Sequence, residues 1–166
     1  RKIIALMYQT WADLDHALGG LPTETAVARH EGSSSIAWTT GHVTNQVDAW
    51  LNVRFQGLPP HPLIGQPSFR AGGTGAAEDW PGILAGLREV QAAARSFLDT
   101  VPDADLDRAI PYNGSIAYLR PVGLSLRHAV MRIAAHHFLH VGEIQTIRAQ
   151  LGLAVEDVPD WGVSFV

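Results

Sequence analysis

Hydrophobic residues recur at intervals of three and four positions along four stretches of the chain, which is the spacing of amphipathic helices. The first stretch covers residues 1–18 and ends at Gly19 and Gly20; its apolar stripe consists of Ile3, Ile4, Met7, Trp11, Leu14 and Leu18. The second covers residues 36–55, and the serines just before it are candidate N-caps, namely Ser33, Ser34 and Ser35. The pattern therefore predicts two helices in the first third of the chain.

Two further stretches repeat this pattern in the second half. The third begins after Asp79, a candidate cap with Pro81 in the first turn, and ends at Pro102. The fourth covers about residues 124–151 and ends at Gly152; its inward stripe is Leu126, Ala129, Ile133, Ile144, Ile147 and Leu151. Four amphipathic helices around one dominant core predict an all-α four-helix bundle.

The segments between the helices carry two further signals. Residues 56–78 are rich in proline and glycine and form a long loop between the second and third helices. Loops of this length are uncommon in compact domains and are often functional. Asn113-Gly114, between short β-prone flanks, predicts a small hairpin before the fourth helix.

Composition narrows the classes of protein. The chain has 166 residues, of which 46% are hydrophobic and 17% charged, so we expect one domain over residues 1–166. A net charge of -4 argues against nucleic-acid binding, and the lack of cysteine excludes a disulfide framework. No apolar run reaches the ~18 residues of a membrane span, and the sequence shows no signal-peptide pattern. The expectation is a cytoplasmic protein that does not bind membranes.

The stretch HHFLHVGE, residues 136–143, places three histidines and a glutamate in little more than two helical turns. At ~100° per residue, His140 falls near the centre of the inward stripe, while His136 and His137 fall on its two shoulders. His42 on the second helix shares its face with apolar residues and so also points inward. A single buried histidine more often bonds a neighbouring helix than a metal. Three together predict a metal site, and spacing alone leaves either His136 or His137 as the partner of His140.

The segments IAWTTGHVTNQVDAWL and AAHHFLHVGEIQTIRAQLG, which contain these histidines, resemble the DinB-like superfamily of metal-binding four-helix bundles. That family includes mycothiol- and bacillithiol-dependent transferases and metal-dependent hydrolases. Its pattern joins a Gly-His on the second helix to a His-x-x-x-His on the last long helix. The resemblance therefore implies that the metal ligands are His42, His136 and His140. His137 is then an additional donor or, through i, i+3 spacing, a replacement for His136.

Three neutral imidazoles leave the charge of a divalent ion uncompensated, so the site should attract hydroxide, thiolate or carboxylate. The expected function is that of a metal-dependent enzyme, either a thiol-dependent S-transferase or a hydrolase. Glu143 and Gln46 are expected to orient ligands or water around the metal. The alternatives are a non-catalytic metal-binding or stress-related protein, and a helical interaction module with structural histidines.

The expected cofactors are a divalent ion and, for the transferase, a low-molecular-weight thiol. Zinc, nickel, iron and manganese all accept imidazole, so the sequence does not select one. A small molecule is the expected substrate. The sequence neither requires nor excludes a homodimer. Arg54, His61 and Arg70, in or beside the long loop, are candidates to meet an anionic substrate, although a solvated loop is the favoured explanation for each.

Overall fold

The computed structural model describes residues 1–155, most of which are helical. The α-helices are α1 (Lys2–Leu18), α2 (Thr23–Val27), α3 (Ile36–Val47), α4 (Trp80–Thr100) and α5 (Leu126–Gln150). A π-helix, Asp48–Phe55, continues α3 without interruption. The prediction of an all-α fold is confirmed, and the four long helical segments agree closely with the four apolar stripes. Among the α-helices of residues 1–155, the sequence pattern missed the five-residue α2, in which Ala26 is the one buried residue.

Side-chain caps begin three of these helices, because the first backbone N–H groups of a helix have no partner within it. The Ser35 hydroxyl accepts from Trp38 N at 3.1 Å, and the Asp79 carboxylate accepts from Gly82 N at 2.9 Å. At α5 the Ser125 hydroxyl accepts from His128 N at 3.3 Å. Ser35 and Asp79 are caps that the sequence predicts, whereas α5 begins two residues later than predicted.

The core consists of two apolar clusters that show how the helices run. One contains Met7 of α1, Val47 of α3 and Ile133 of α5, and the other contains residues from the opposite ends, among them Leu14, Ile36 and Ile144. The early half of α1 thus meets the early half of α5, so these helices are parallel, whereas α3 is antiparallel to both. The N-terminal half of α3 therefore faces the C-terminal half of α5. No helix among residues 1–155 has both the length and the hydrophobicity to cross a membrane.

The long loop of residues 56–78 folds back along α3. Its Ile64 and Phe69 are buried, at 0% and 4% exposure. Two buried side chains hold it there: Asn45 Nδ2 donates to Ile64 O at 2.7 Å, and Asp48 Oδ2 accepts from His61 N at 2.9 Å. The loop is consequently a fixed wall of the bundle next to the helix that carries His42.

A two-stranded antiparallel sheet precedes α5, as predicted, but its position differs from the prediction. The strands are β1 (Ala109–Ile110) and β2 (Leu124–Ser125), so a tight turn at Asn113-Gly114 does not connect them. Tyr112 is buried there, and its hydroxyl lies so close that a Cβ on Gly114 would overlap it. Gly114 also lacks the positive φ that a two-residue hairpin turn requires. Tertiary burial of Tyr112 thus overrides the local turn signal.

Candidate metal centre

Three histidines meet where the middle of α3 faces the middle of α5. His42 lies on α3, and His136 and His140 lie one turn apart on α5. His136 Nε2 is 3.1 Å from His42 Nε2 and 3.1 Å from His140 Nε2. One nitrogen from each ring lies within 4.8 Å of the other two, so this cluster could bind a metal ion.

The hydrogen-bond partners of Nδ1 determine which nitrogen carries the proton in His42 and in His140. His42 Nδ1 is 2.7 Å from Phe69 O, a carbonyl that only accepts, so Nδ1 carries the proton. His140 Nδ1 is 2.6 Å from the Glu143 carboxylate and donates to it in the same way. In a neutral ring the Nε2 of each must then be an unprotonated lone pair, and both lone pairs are directed at His136.

These lone pairs cannot all be satisfied by hydrogen bonds among the histidines. His136 alone could supply a proton, and one proton cannot make two good hydrogen bonds at 3.1 Å in different directions. A divalent cation satisfies all three nitrogens at once, since neutral imidazole nitrogen is a preferred ligand for such ions. The donor set therefore fits a bound metal better than it fits a hydrogen-bonded cluster.

Burial keeps the rings of His136 and His42 in the neutral form that metal binding requires. Desolvation, together with the neighbouring His140 and His42, lowers the pKa of His136 to about 3. Desolvation also lowers the pKa of His42, partly offset by the hydrogen bond to Phe69 O. At neutral pH both rings are uncharged, so protons compete little with a metal ion.

The wall behind His42 is built by the long loop and by Trp38. The indole of Trp38 stacks on the His42 ring, with centroids 4.8 Å apart and planes at 7°, and its Nε1 donates to Ser68 O at 2.8 Å. Phe69 packs directly against Gly41, where no side chain intervenes. The loop thus orients His42 in two ways. Its Phe69 carbonyl accepts a hydrogen bond from the ring, and its Ser68 carbonyl holds the indole that stacks on the ring. The sequence left open whether this loop reaches the histidines.

Glu143 and Gln46 have different positions in the structure. Glu143 contacts the cluster directly through His140 Nδ1, as described above. Gln46 lies one turn after His42, but its Oε1 is buried with no hydrogen-bond partner among residues 1–155, and it contacts none of the three rings by a hydrogen bond. His136 Nδ1 is likewise buried without a partner in this part of the chain. The structure brings Glu143 to the site and leaves the role of Gln46 a prediction.

His137 lies away from the cluster and deeper in the bundle. It is 1% exposed, whereas His136 and His140 are partly exposed, so the predicted placement of His140 at the centre of the buried stripe is wrong. The stripe actually runs through Ala134, His137 and Val141, a register that the full set of buried positions on α5 defines. His137 Nδ1 donates to Ile133 O at 3.0 Å, and its Nε2 has no partner among the described residues.

The remaining histidines with described contacts lie elsewhere. His61 pairs with Glu89 at 3.0 Å, His128 contacts the Tyr118 hydroxyl at 3.3 Å, and His30 contacts Thr25 O at 3.4 Å. None of these three belongs to the cluster of ligand atoms. These local contacts account for the three side chains.

Comparison with known proteins decides the family. The profile of the DinB superfamily matches residues 6–144, which is most of the chain and includes all three clustered histidines. The chain belongs to the DinB superfamily. No curated protein and no solved structure matches it. The resemblance drawn from the two histidine segments is thereby confirmed for this DinB chain.

His137→Leu should leave metal content unchanged and make the metal-free protein more resistant to acid. Burial lowers the pKa of His137 to about 4, against about 6.5 in an unfolded chain. Between these pH values only the unfolded state binds the proton, so the stability that neutral His137 contributes is present above pH 6.5 and lost as the pH falls towards 4. Leucine has a similar volume and binds no proton.

Urea unfolding of both metal-free proteins at pH 7 and at about pH 4.5 measures this effect. We expect the wild type to lose about 2–3 kcal/mol more than the variant over that interval. Equal losses in the two proteins would mean that His137 is already protonated in the folded state. Loss of metal from His137→Leu would instead make His137 a ligand.

Proposed function

We propose that this DinB protein is a metal-dependent enzyme whose divalent ion is held by His42, His136 and His140. The observation that supports this most is the convergence of the three Nε2 atoms, two of them with their protons fixed on the far side of the ring. Three protein ligands leave coordination positions free for a reactant, which is typical of catalytic rather than structural sites. Structural zinc sites usually have four protein ligands.

A divalent ion held there would act as a Lewis acid, able either to lower the pKa of a water molecule for hydrolysis or to bind the thiolate of a low-molecular-weight thiol for transfer. The chain supplies the surroundings for either reaction. Glu143 accepts a hydrogen bond from His140 Nδ1, which makes that ring a stronger ligand for the metal. The Phe69 carbonyl does the same for His42. Gln46, whose buried amide oxygen has no described partner, is proposed to orient a reactant beside the metal.

Space for a substrate borders the cluster on the Glu143 side. A groove of about 650 Å³ lies between the segment before α3 and the outer face of α5. Glu143 lines this groove and also contacts His140, so it joins the groove to the proposed metal. The groove is open to solvent and large enough for a small organic molecule.

Metal analysis and activity measurements test this function in two steps. Protein purified without a nickel column should contain about one divalent ion per chain, and this ion should be zinc, nickel, iron or manganese. Activity should then be sought with chlorinated and epoxide electrophiles in the presence of a small thiol, and in parallel with ester and amide substrates. Metal without turnover in either panel would favour a non-catalytic metal-binding protein, and absence of metal would contradict the proposal.

Glu143→Ala should weaken metal binding about 10- to 100-fold, the usual effect of removing the partner of a ligating histidine. Alanine leaves His140 Nδ1 without its acceptor, so the ring loses both orientation and basicity. Glu143→Gln is the matched control, since its amide oxygen can still accept this proton and a smaller loss is expected. Competition with a chromophoric chelator gives both affinities. Equal affinity of the alanine variant and wild type would show that the contact is incidental.

A further inference from the structure

A second cavity lies on the other side of His42, between the α3–π-helix segment and the long loop. Its volume is about 380 Å³. Asn45 and Ala49 line it, one and two turns beyond His42, together with the arginines Arg54 and Arg70. At ~1.5 Å per residue, Ala49 lies about 10 Å along the helix from His42. The cavity thus extends along the helix from the turn after His42 to the π-helix.

The two arginines reach this cavity from distant places in the sequence. Arg54 comes from the π-helix and Arg70 from the loop, directly after the Phe69 carbonyl that holds His42. Arg54 Nη1 donates to Asn113 Oδ1 at 3.2 Å, and its guanidinium lies 4.8 Å from the centre of the Tyr112 ring. Both of these partners are neutral, so they position the Arg54 charge without compensating it.

Arg70 has no side-chain hydrogen bond or ion pair with any residue in the described part of the chain. Asp48 also lines the cavity, but it is 2% exposed and both of its oxygens are occupied, Oδ2 by His61 N and Oδ1 by Asn52 Nδ2. Two arginines against one buried, occupied carboxylate leave the cavity with a net positive charge.

The walls of the cavity are fixed before any ligand binds. The buried side chains of Asn45 and Asp48 hold the loop against α3 through Ile64 O and His61 N, as described for the fold. Gly65, which also lines the cavity, is packed so closely against the His61 backbone that a Cβ there would lie 2.7 Å from its carbonyl oxygen. A fixed wall lowers the entropic cost of binding.

The groove on the opposite side has the reverse charge. Glu31 and Glu143 line it, and no arginine or lysine does. An anionic group is therefore repelled on the Glu143 side of the cluster and attracted on the Arg70 side. Paired arginines match the planar oxygens of carboxylate and the oxygens of phosphate.

We propose that Arg54 and Arg70 bind a carboxylate or phosphate group of the substrate. The reactive end of that substrate then extends along α3, past Ala49 and Asn45 of the same cavity, towards the histidine cluster. This second part rests on the proposed metal function, whereas binding of the anion does not. His61, the third basic residue that the sequence suggested for this role, pairs with Glu89 and lines a different cavity.

Titration of metal-free protein with malonate and with inorganic phosphate, followed by ¹H–¹⁵N NMR, tests the site without any metal. We expect saturable shifts at the amides of Ala49 and Gly65 with at least one of these anions. Arg54→Gln and Arg70→Gln should each weaken that binding about tenfold or more, and the double variant should abolish it. The anion that binds more tightly identifies the group as carboxylate or phosphate.

Arg108→Gln is the matched control, because it removes the same charge from an exposed residue that lines another cavity. This control should bind the anion as the wild type does. If Arg54→Gln folds poorly, Arg54→Lys takes its place and should keep part of the affinity. The double arginine variant should retain its metal, so failure of the metal site and failure of the anion site give different results. No saturable shift with either anion, or equal losses in Arg70→Gln and Arg108→Gln, would overturn the proposal.

Discussion

His136→Ala and His140→Ala should each abolish stoichiometric metal binding, with an affinity loss above about 100-fold. Either change leaves two ring nitrogens from a set of three in which His136 Nε2 lies 3.1 Å from each of the other two. Loss of a direct ligand should exceed the 10- to 100-fold effect of losing a supporting partner. His42→Ala should behave in the same way. Metal content by mass spectrometry and affinity by chelator competition measure these effects.

His128→Ala is the control for these variants. His128 lies on the same helix, and its side chain hydrogen-bonds only to Tyr118 among the described residues. The variant should retain full metal content. Folding of each variant is checked by circular dichroism, because the apolar clusters should keep the metal-free bundle helical. If a folded His136→Ala variant still binds one metal with wild-type affinity, the three-histidine assignment is wrong.

Gly41→Ala should destabilise the protein by about 1–3 kcal/mol, although alanine normally favours a helix by up to about 1 kcal/mol over glycine. A Cβ at this position would overlap the Phe69 ring, which is 4% exposed and cannot move without opening the loop. Displacing Phe69 also moves the carbonyl that accepts from His42 Nδ1. We therefore expect weaker metal binding as well, by about tenfold.

Gly142→Ala, the same substitution at another position, should have the opposite effect on stability. Gly142 is exposed on α5, and a Cβ there would meet nothing within 4 Å. It should stabilise the protein by up to about 1 kcal/mol, in line with helix propensity. Thermal or urea unfolding of the two variants compares them directly. Stabilisation by both would mean that Phe69 does not pack against α3 as the structure has it.

The four long helices of this protein are predictable because each has a regular apolar stripe, and two of them also have a predicted capping residue at their start. Ser35 and Asp79 cap helices where the sequence places them. The path of the long loop has no such signal. It is fixed by hydrogen bonds between residues far apart in sequence, such as Asn45 with Ile64, and proline and glycine content says only that a loop exists.

The candidate site shows the same division between local and tertiary information. Helical spacing brought His42, His136 and His140 to the interior but could not choose between His136 and His137. The choice depends on the rotation of α5, which is set by burial of Ala134 and Val141 around His137. Glu143 is identifiable from its i, i+3 spacing to His140. The Phe69 carbonyl is a backbone group of a distant loop, and no residue pattern in the sequence predicts its contact with His42.

Metal-edge X-ray absorption and anomalous diffraction on protein loaded with zinc test the central assignment most directly. We expect one ion per chain, with an anomalous peak about 2.0–2.1 Å from the Nε2 atoms of His42, His136 and His140 and with oxygen donors completing the sphere. An ion bound by His137 in place of His136, a fourth protein ligand that closes the sphere, or no ion at the cluster would contradict an open three-histidine centre.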